Sequence, residues 1–232
     1  MTAYSIFAGL CEIIRKNGEA DQETRDQIYR KVVECGFALW EYLISVMNEQ
    51  SDLHDLSALN LPPRFQEARE LIMQDYSLYL EDLRNSSFAK FRLPKKDGGF
   101  GQADALMSVD PKSLLFRSWA RGDNRHSPRG KGFVMLAINY KHQRYVISTD
   151  PQSPYYLKGL GDLLEKAETE KRKPLGLERK GEPRPGYDNA DPWYDGRNPL
   201  HNYTIVDTPR NGTVLTWEEI TAIVRDYAAL QV

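Results

Sequence analysis

Gly132-Phe-Val-Met-Leu-Ala-Ile-Asn-Tyr140, then a polar break at Lys141-His142-Gln143, then Arg144-Tyr-Val-Ile-Ser-Thr-Asp150: this stretch decides the fold. The first run is apolar without alternation, the pattern of a strand covered on both faces. The second is rich in β-branched and aromatic residues, and the short break between the two predicts a hairpin. The second half of the chain therefore carries a sheet, and the segments around it must supply the layers that cover it.

Toward the C-terminus, Leu157, Leu160, Leu164 and Ala167 recur at helical spacing and run into the charge-dense Lys171-Arg-Lys-Pro174. Residues 174–202 hold five Pro and four Gly, which predicts a long irregular loop. Tyr203-Thr-Ile-Val-Asp207 reads as a third strand. Thr216 with Glu219 makes a capping box that opens a last helix with Ile220, Ile223, Val224 and Tyr227 inward.

Toward the N-terminus, Arg121–Lys131 reads as a polar, basic loop, and Asp110-Pro111 starts a short helix over Leu114, Leu115 and Phe116. Leu93-Pro-Lys-Lys-Asp-Gly-Gly-Phe-Gly101 reads as a loop. The first 90 residues show three helical stripes. Ile6, Phe7, Leu10, Ile13 and Ile14 form the first, and Ile28, Val32, Cys35, Leu39, Leu43 and Val46 the second. The third, after the break at Pro62-Pro63, holds Phe65, Ala68, Ile72, Tyr76, Tyr79, Leu80 and Leu83. The expected fold is α+β: an N-terminal three-helix bundle over residues 1–90, then a small mixed α/β module over 91–232 with a short, about three-stranded sheet.

The chain has 232 residues, 41% of them hydrophobic and 11% aromatic, enough for a real core. Its net charge of −2 hides an acidic–basic–acidic layout. Residues 1–90 carry 9 basic against 15 acidic side chains, 91–187 carry 19 against 11, and 188–232 carry 3 against 7. Two cysteines, Cys11 and Cys35, make no disulfide framework, and each falls on or beside an apolar stripe. The first 18 residues lack a basic n-region and an Ala-x-Ala site, and no apolar run approaches a membrane span, so a cytoplasmic protein without membrane contact is expected.

The residues complete no familiar catalytic set. His54, His126, His142 and His201 show no ligand spacing, so neither metal nor cofactor is expected. Asp207 ends an apolar strand as a Mg²⁺-binding acid would, yet no Gly-x-x-x-x-Gly-Lys-Ser/Thr loop accompanies it, and a strand-end residue tying the next turn is the plainer reading. The densest constellation is Asp188-Asn-Ala-Asp191-Pro-Trp193-Tyr194-Asp195-Gly-Arg197. Aromatics give contact area at low entropic cost and Asp/Arg pairs fix orientation, so Asp191, Trp193, Tyr194, Asp195 and Arg197 are candidate interface residues. Equally, Trp193 and Tyr194 could plug the module's own core. Trp119, Arg121 and Arg210 complete the candidate set, with Trp119 expected toward the core and Arg121 exposed. Basic loops 117–131 and 171–184 make nucleic acid a possible partner, although interleaved glutamates dilute the second.

Asp191-Pro-Trp-Tyr-Asp-Gly-Arg197 and Tyr203-Thr-Ile-Val-Asp-Thr-Pro-Arg-Asn-Gly-Thr-Val-Leu-Thr-Trp-Glu-Glu-Ile220 resemble small accessory proteins of bacterial multi-gene conflict, or anti-phage, systems. The resemblance covers the chain from about Leu114 onward. It implies a non-catalytic adaptor that bridges a sensor and an effector through protein partners in a larger assembly, and it transfers no catalytic residue. The alternative expectation is a divergent metal-dependent nuclease or nucleic-acid-binding protein, with Asp150, Asp191, Asp195, Asp207 and His201 as its polar groups.

Overall fold

The computed structural model describes residues 63–140, 144–184 and 186–229, with side chains in the first helix from residue 73 onward. The two helices expected before residue 63 lie outside these residues, as does the break at 141–143. The chain divides into two compact units: residues up to Glu81 with Lys112–Phe116, and Asp82–Pro111 with Arg117–Val232.

Helix α1 spans Pro63–Arg84, and the expected break at Pro62-Pro63 is its start, because proline suits the first helical position where an N–H has no partner to lose. Within the first unit, Tyr79 is fully buried and its ring meets Phe116 edge-on at 5.6 Å. The buried Asp75 carboxylate accepts hydrogen bonds from Ser113 Oγ (2.8 Å) and from the backbone N–H groups of Leu114 (2.7 Å) and Leu115 (3.1 Å). One carboxylate thereby satisfies the donors of a tight turn.

The second unit is an α+β module around a five-stranded mixed sheet: β1 (Ser87–Pro94), β2 (Phe100–Val109), β3 (Met135–Tyr140), β4 (Arg144–Thr149) and β5 (Ile205–Asp207), in spatial order 1-2-3-4-5. All neighbours are antiparallel except β2 and β3, which run parallel and are joined through α2 (Phe116–Gly122). The predicted hairpin is β3–β4, and the predicted third strand is the short β5. The expectation of about three strands needs correction. The segment read as a loop from Leu93 to Gly101 closes a β1–β2 hairpin: its ends pair as strand, Leu93 with Gly101 and Pro94 with Phe100, and only the residues between them turn, with Gly98 and Gly99 at φ of 96° and 72°. The strand β1 begins at Ser87, on the near side of the boundary expected at residue 90.

One sheet face presents Phe91, Leu93, Ala103, Ala105, Met107, Met135, Ala137, Tyr145, Ile147 and Val206. Helices α3 (Leu160–Arg172) and α4 (Trp217–Ala229) close it with Leu160, Leu164, Ile220, Val224 and Tyr227. The capping box forms as read: Glu219 N–H donates to Thr216 Oγ1 (3.3 Å) and Thr216 N–H to Glu219 Oε2 (2.6 Å). The opposite face carries Asp104, Leu106, Leu136, Ile138, Tyr140, Arg144, Val146, Ser148 and Asp207, since paired strand residues share a side.

Candidate functional site

Among the described residues, the Pro/Gly-rich segment between α3 and β5 is the longest stretch without regular structure, holding a single 3₁₀ turn at Lys173–Leu175. It is nevertheless built in. Trp193 is 1% exposed and belongs to the core beneath α3 and α4. Its backbone N–H donates to Glu165 Oε2 (3.0 Å), and Tyr194 pairs with Asp207 through two backbone hydrogen bonds (2.9 and 2.8 Å), extending the sheet beyond β5. Asp191, at φ 41°, receives the backbone N–H groups of Arg210 (2.7 Å) and Asn211 (2.8 Å). Asp195 is buried and forked by Arg197 (2.9 and 2.8 Å), and it also accepts from the Tyr187 hydroxyl. Burial pushes the Asp195 carboxyl up, but the bonds from Arg197 and Tyr187 more than offset this and hold it below the ordinary carboxylate value. Burial likewise raises the Tyr187 hydroxyl to about 12.

The candidate residues therefore separate. Asp191, Trp193 and Asp195 are buried and fold the segment onto the module. Tyr194 is half-buried between the Arg184 guanidinium (5.4 Å from its centroid) and the His201 ring (5.9 Å, edge-on). Arg197 is exposed but lies 4.1 Å from the Tyr187 centroid while it clamps Asp195. Arg210 is exposed, with its backbone rather than its side chain engaged. Trp119 is only half-buried.

Arg121 is a correction. Its guanidinium donates to the carbonyls of Phe133 (2.7 Å), Val134 and Ser148 (2.9 Å) and to Ser148 Oγ (3.1 Å). Burial lowers its pKa to about 9, with Asp150 pulling the other way, so at neutral pH it remains a cation that ties α2 to the ends of β3 and β4. Nothing at the level of residue type distinguishes it from its exposed neighbours.

The basic loops are partly engaged too. In 171–184, Lys171 meets Glu219 (2.6 Å), Arg172 meets the fully buried Glu168 (2.6 Å), Arg179 meets Glu165 (2.9 Å), and Arg184 donates to the Thr208 carbonyl (2.7 Å). In 117–131, Arg129 meets the buried Asp104 (2.6 Å). The acids of the nuclease alternative are not assembled: Asp191 and Asp195 are occupied as above, and Asp150 accepts from Gln152 N–H in a turn (3.0 Å). Among the described residues, no three His, Cys, Asp or Glu side chains come together as metal ligands.

Three leucines stand outward on the segment among exposed polar and charged residues such as Lys173, Glu178, Lys180, Glu182 and Asn198. Leu175 and Leu177 are about half exposed and Leu200 is 84% exposed, and the Leu177 N–H donates to the Arg172 carbonyl (3.3 Å). Sequence reasoning picked the aromatic anchors of this segment and missed these leucines, whose only signal is an apolar residue inside a polar, Pro/Gly-rich stretch. Comparison with protein-family models, curated proteins and solved structures gave no match. Among the described residues, no helix is long and apolar enough to cross a membrane.

Proposed function

We propose that this chain is an interaction subunit, an adaptor that bridges a sensor and an effector in a bacterial assembly of the anti-phage kind. The observation that carries the reading is the segment 173–202. It is long and irregular, yet pinned by Trp193, Asp191, Asp195 and Arg179, while Leu175, Leu177 and Leu200 face outward. Binding residues concentrate on loops positioned by a rigid scaffold. A loop already fixed in place loses little conformational entropy when a partner docks, so more of the contact energy appears as affinity. Apolar side chains in such a loop fit a protein surface better than a phosphate backbone, which sets protein partners ahead of nucleic acid.

The test is a tagged pull-down from the native host with nuclease treatment, comparing wild type with Leu177→Asp/Leu200→Asp. Both positions are exposed, so the double variant should melt within about 0.5 kcal/mol per site of wild type. It should also lose a stoichiometric, nuclease-resistant partner. Equal recovery of that partner by the variant overturns this surface. Recovery that disappears on nuclease treatment overturns the protein-partner reading in favour of nucleic acid.

A further inference from the structure

On the sheet face opposite α3 and α4, strand register brings Tyr140, Arg144 and Asp207 to one side of the β3–β4–β5 corner. Tyr194, paired with Asp207, extends this corner, and Arg184 lies over the Tyr194 ring. Arg117 of α2 completes the group: its charge acts on both the Tyr140 hydroxyl and the Asp207 carboxyl. Arg144 thus shares the face of Asp207 and Arg184 lies over the ring of its backbone partner Tyr194, and no guanidinium forms an ion pair with Asp207 among the described residues. The arginines are under-used as well. Arg184 Nη2 donates to the Thr208 carbonyl, but its Nε is buried without a hydrogen-bond partner. The side chains of Arg117 and Arg144 make no hydrogen bond or ion pair within the described residues. Three other arginines of this module are matched, Arg172 to Glu168, Arg197 to Asp195 and Arg129 to Asp104, whereas the exposed side chains of Arg125, Arg210 and Arg225 meet no acid among the described residues.

We propose that the corner formed by Arg117, Arg144, Arg184 and Asp207 is a binding site for a phosphoryl group. Guanidinium forks match phosphate oxygens in geometry and charge, and a group with two negative charges would balance the cations that Asp207 leaves unmatched. Asp207 then acts as a competitor inside the site, not as a ligand. Burial pushes its carboxyl up while Arg184, Arg144 and Arg117 pull it down. The site is independent of the leucine surface and goes beyond the adaptor reading by giving the chain a trigger of its own.

Asp207 separates this proposal from a general attraction of anions to basic protein. Inorganic pyrophosphate is titrated calorimetrically into the full chain at low ionic strength, with a single-stranded oligonucleotide in a second arm. Arg117→Gln and Arg144→Gln should each weaken pyrophosphate at least tenfold, Asp207→Asn should strengthen it severalfold, and Lys173→Gln/Lys180→Gln should leave it unchanged. The melting temperature of each variant confirms that it is folded. Displacement of pyrophosphate by the oligonucleotide identifies a nucleic-acid phosphate as the source, and failure to displace it identifies a small phosphorylated ligand. Absence of pyrophosphate binding overturns the site, as does weakening by Asp207→Asn or equal loss in the lysine variant.

Discussion

Trp193 illustrates how one residue type supports opposite roles. Its neighbours Asp191, Tyr194, Asp195 and Arg197 suggest a recognition edge, but the ring is 1% exposed and packs within the cluster of Leu160, Leu164 and Val224. Trp193→Ala therefore acts on folding first. Truncating a buried tryptophan costs about 3–5 kcal/mol, so chemical denaturation should show a large fall in the unfolding midpoint. A variant that unfolds like wild type would return Trp193 to the surface. The polar residues around it were legible as a group but not by role. Asp191 and Asp195 are selected by which backbone N–H groups and which arginine they meet, and such partners, up to 20 residues away, leave no periodic trace in the sequence. Arg121 and Glu168 are concealed for the same reason: each is a charge enclosed by carbonyls, amides or an opposite charge that only the fold brings near.

Elements were legible wherever apolar spacing was strong. The β3–β4 hairpin, the helix behind Leu160 and Leu164, and the capped last helix follow from it. The strands β1 and β2 did not, because polar and small residues interrupt their apolar runs: Lys90 and Arg92 alternate outward on β1, and Gly101, Gln102, Asp104 and Ser108 break up β2. Asp97-Gly98-Gly99 was the available signal, since consecutive residues at positive φ make a tight hairpin turn. Helix α3 carries a testable detail of the same kind. Gly161 sits in its first turn and is buried, and a Cβ there would enter the space of the Asp195 Cβ on the pinned segment. Gly→Ala in a helix normally stabilises by up to about 1 kcal/mol. Here the sign should invert: Gly161→Ala should lower the melting temperature and expose the 173–202 segment to trypsin at Lys180. A stabilised variant would mean that the segment does not bear on α3.

At the scale of the whole molecule, the acidic–basic–acidic layout of the sequence resolves, within the described residues, into local matching. The basic middle segment meets Glu165 and Glu168 of α3 and Glu219 of the C-terminal stretch, while Asp195 is matched within that stretch by Arg197. Charge blocks along a chain thus need not become charge blocks in space, which is why the sequence favoured a basic nucleic-acid surface more strongly than the fold does. Matching of this kind has a pH signature, and Asp195 carries it. Its carboxyl titrates below the ordinary value, so the unfolded chain binds the proton more readily than the folded one. The stability it contributes is fully present above the unfolded value of about 4 and is lost as pH falls through the lower folded value. Asp195→Asn keeps the size of the side chain but cannot receive the Arg197 fork as an anion. The difference in melting temperature between wild type and Asp195→Asn should accordingly be constant from pH 7 to about 5 and shrink below about 4, as the wild-type carboxyl becomes protonated. Glu219, also held below its ordinary value by Lys171 and Thr216, titrates in the same direction but meets the last turn of α3 at Lys171 while Asp195 lies against its first turn at Gly161, so Glu219→Gln measured alongside separates the two. If the wild-type and Asp195→Asn curves run parallel down to pH 3, the Arg197 fork contributes nothing and the segment is held by its other anchors, Trp193, Asp191 and Arg179 among them.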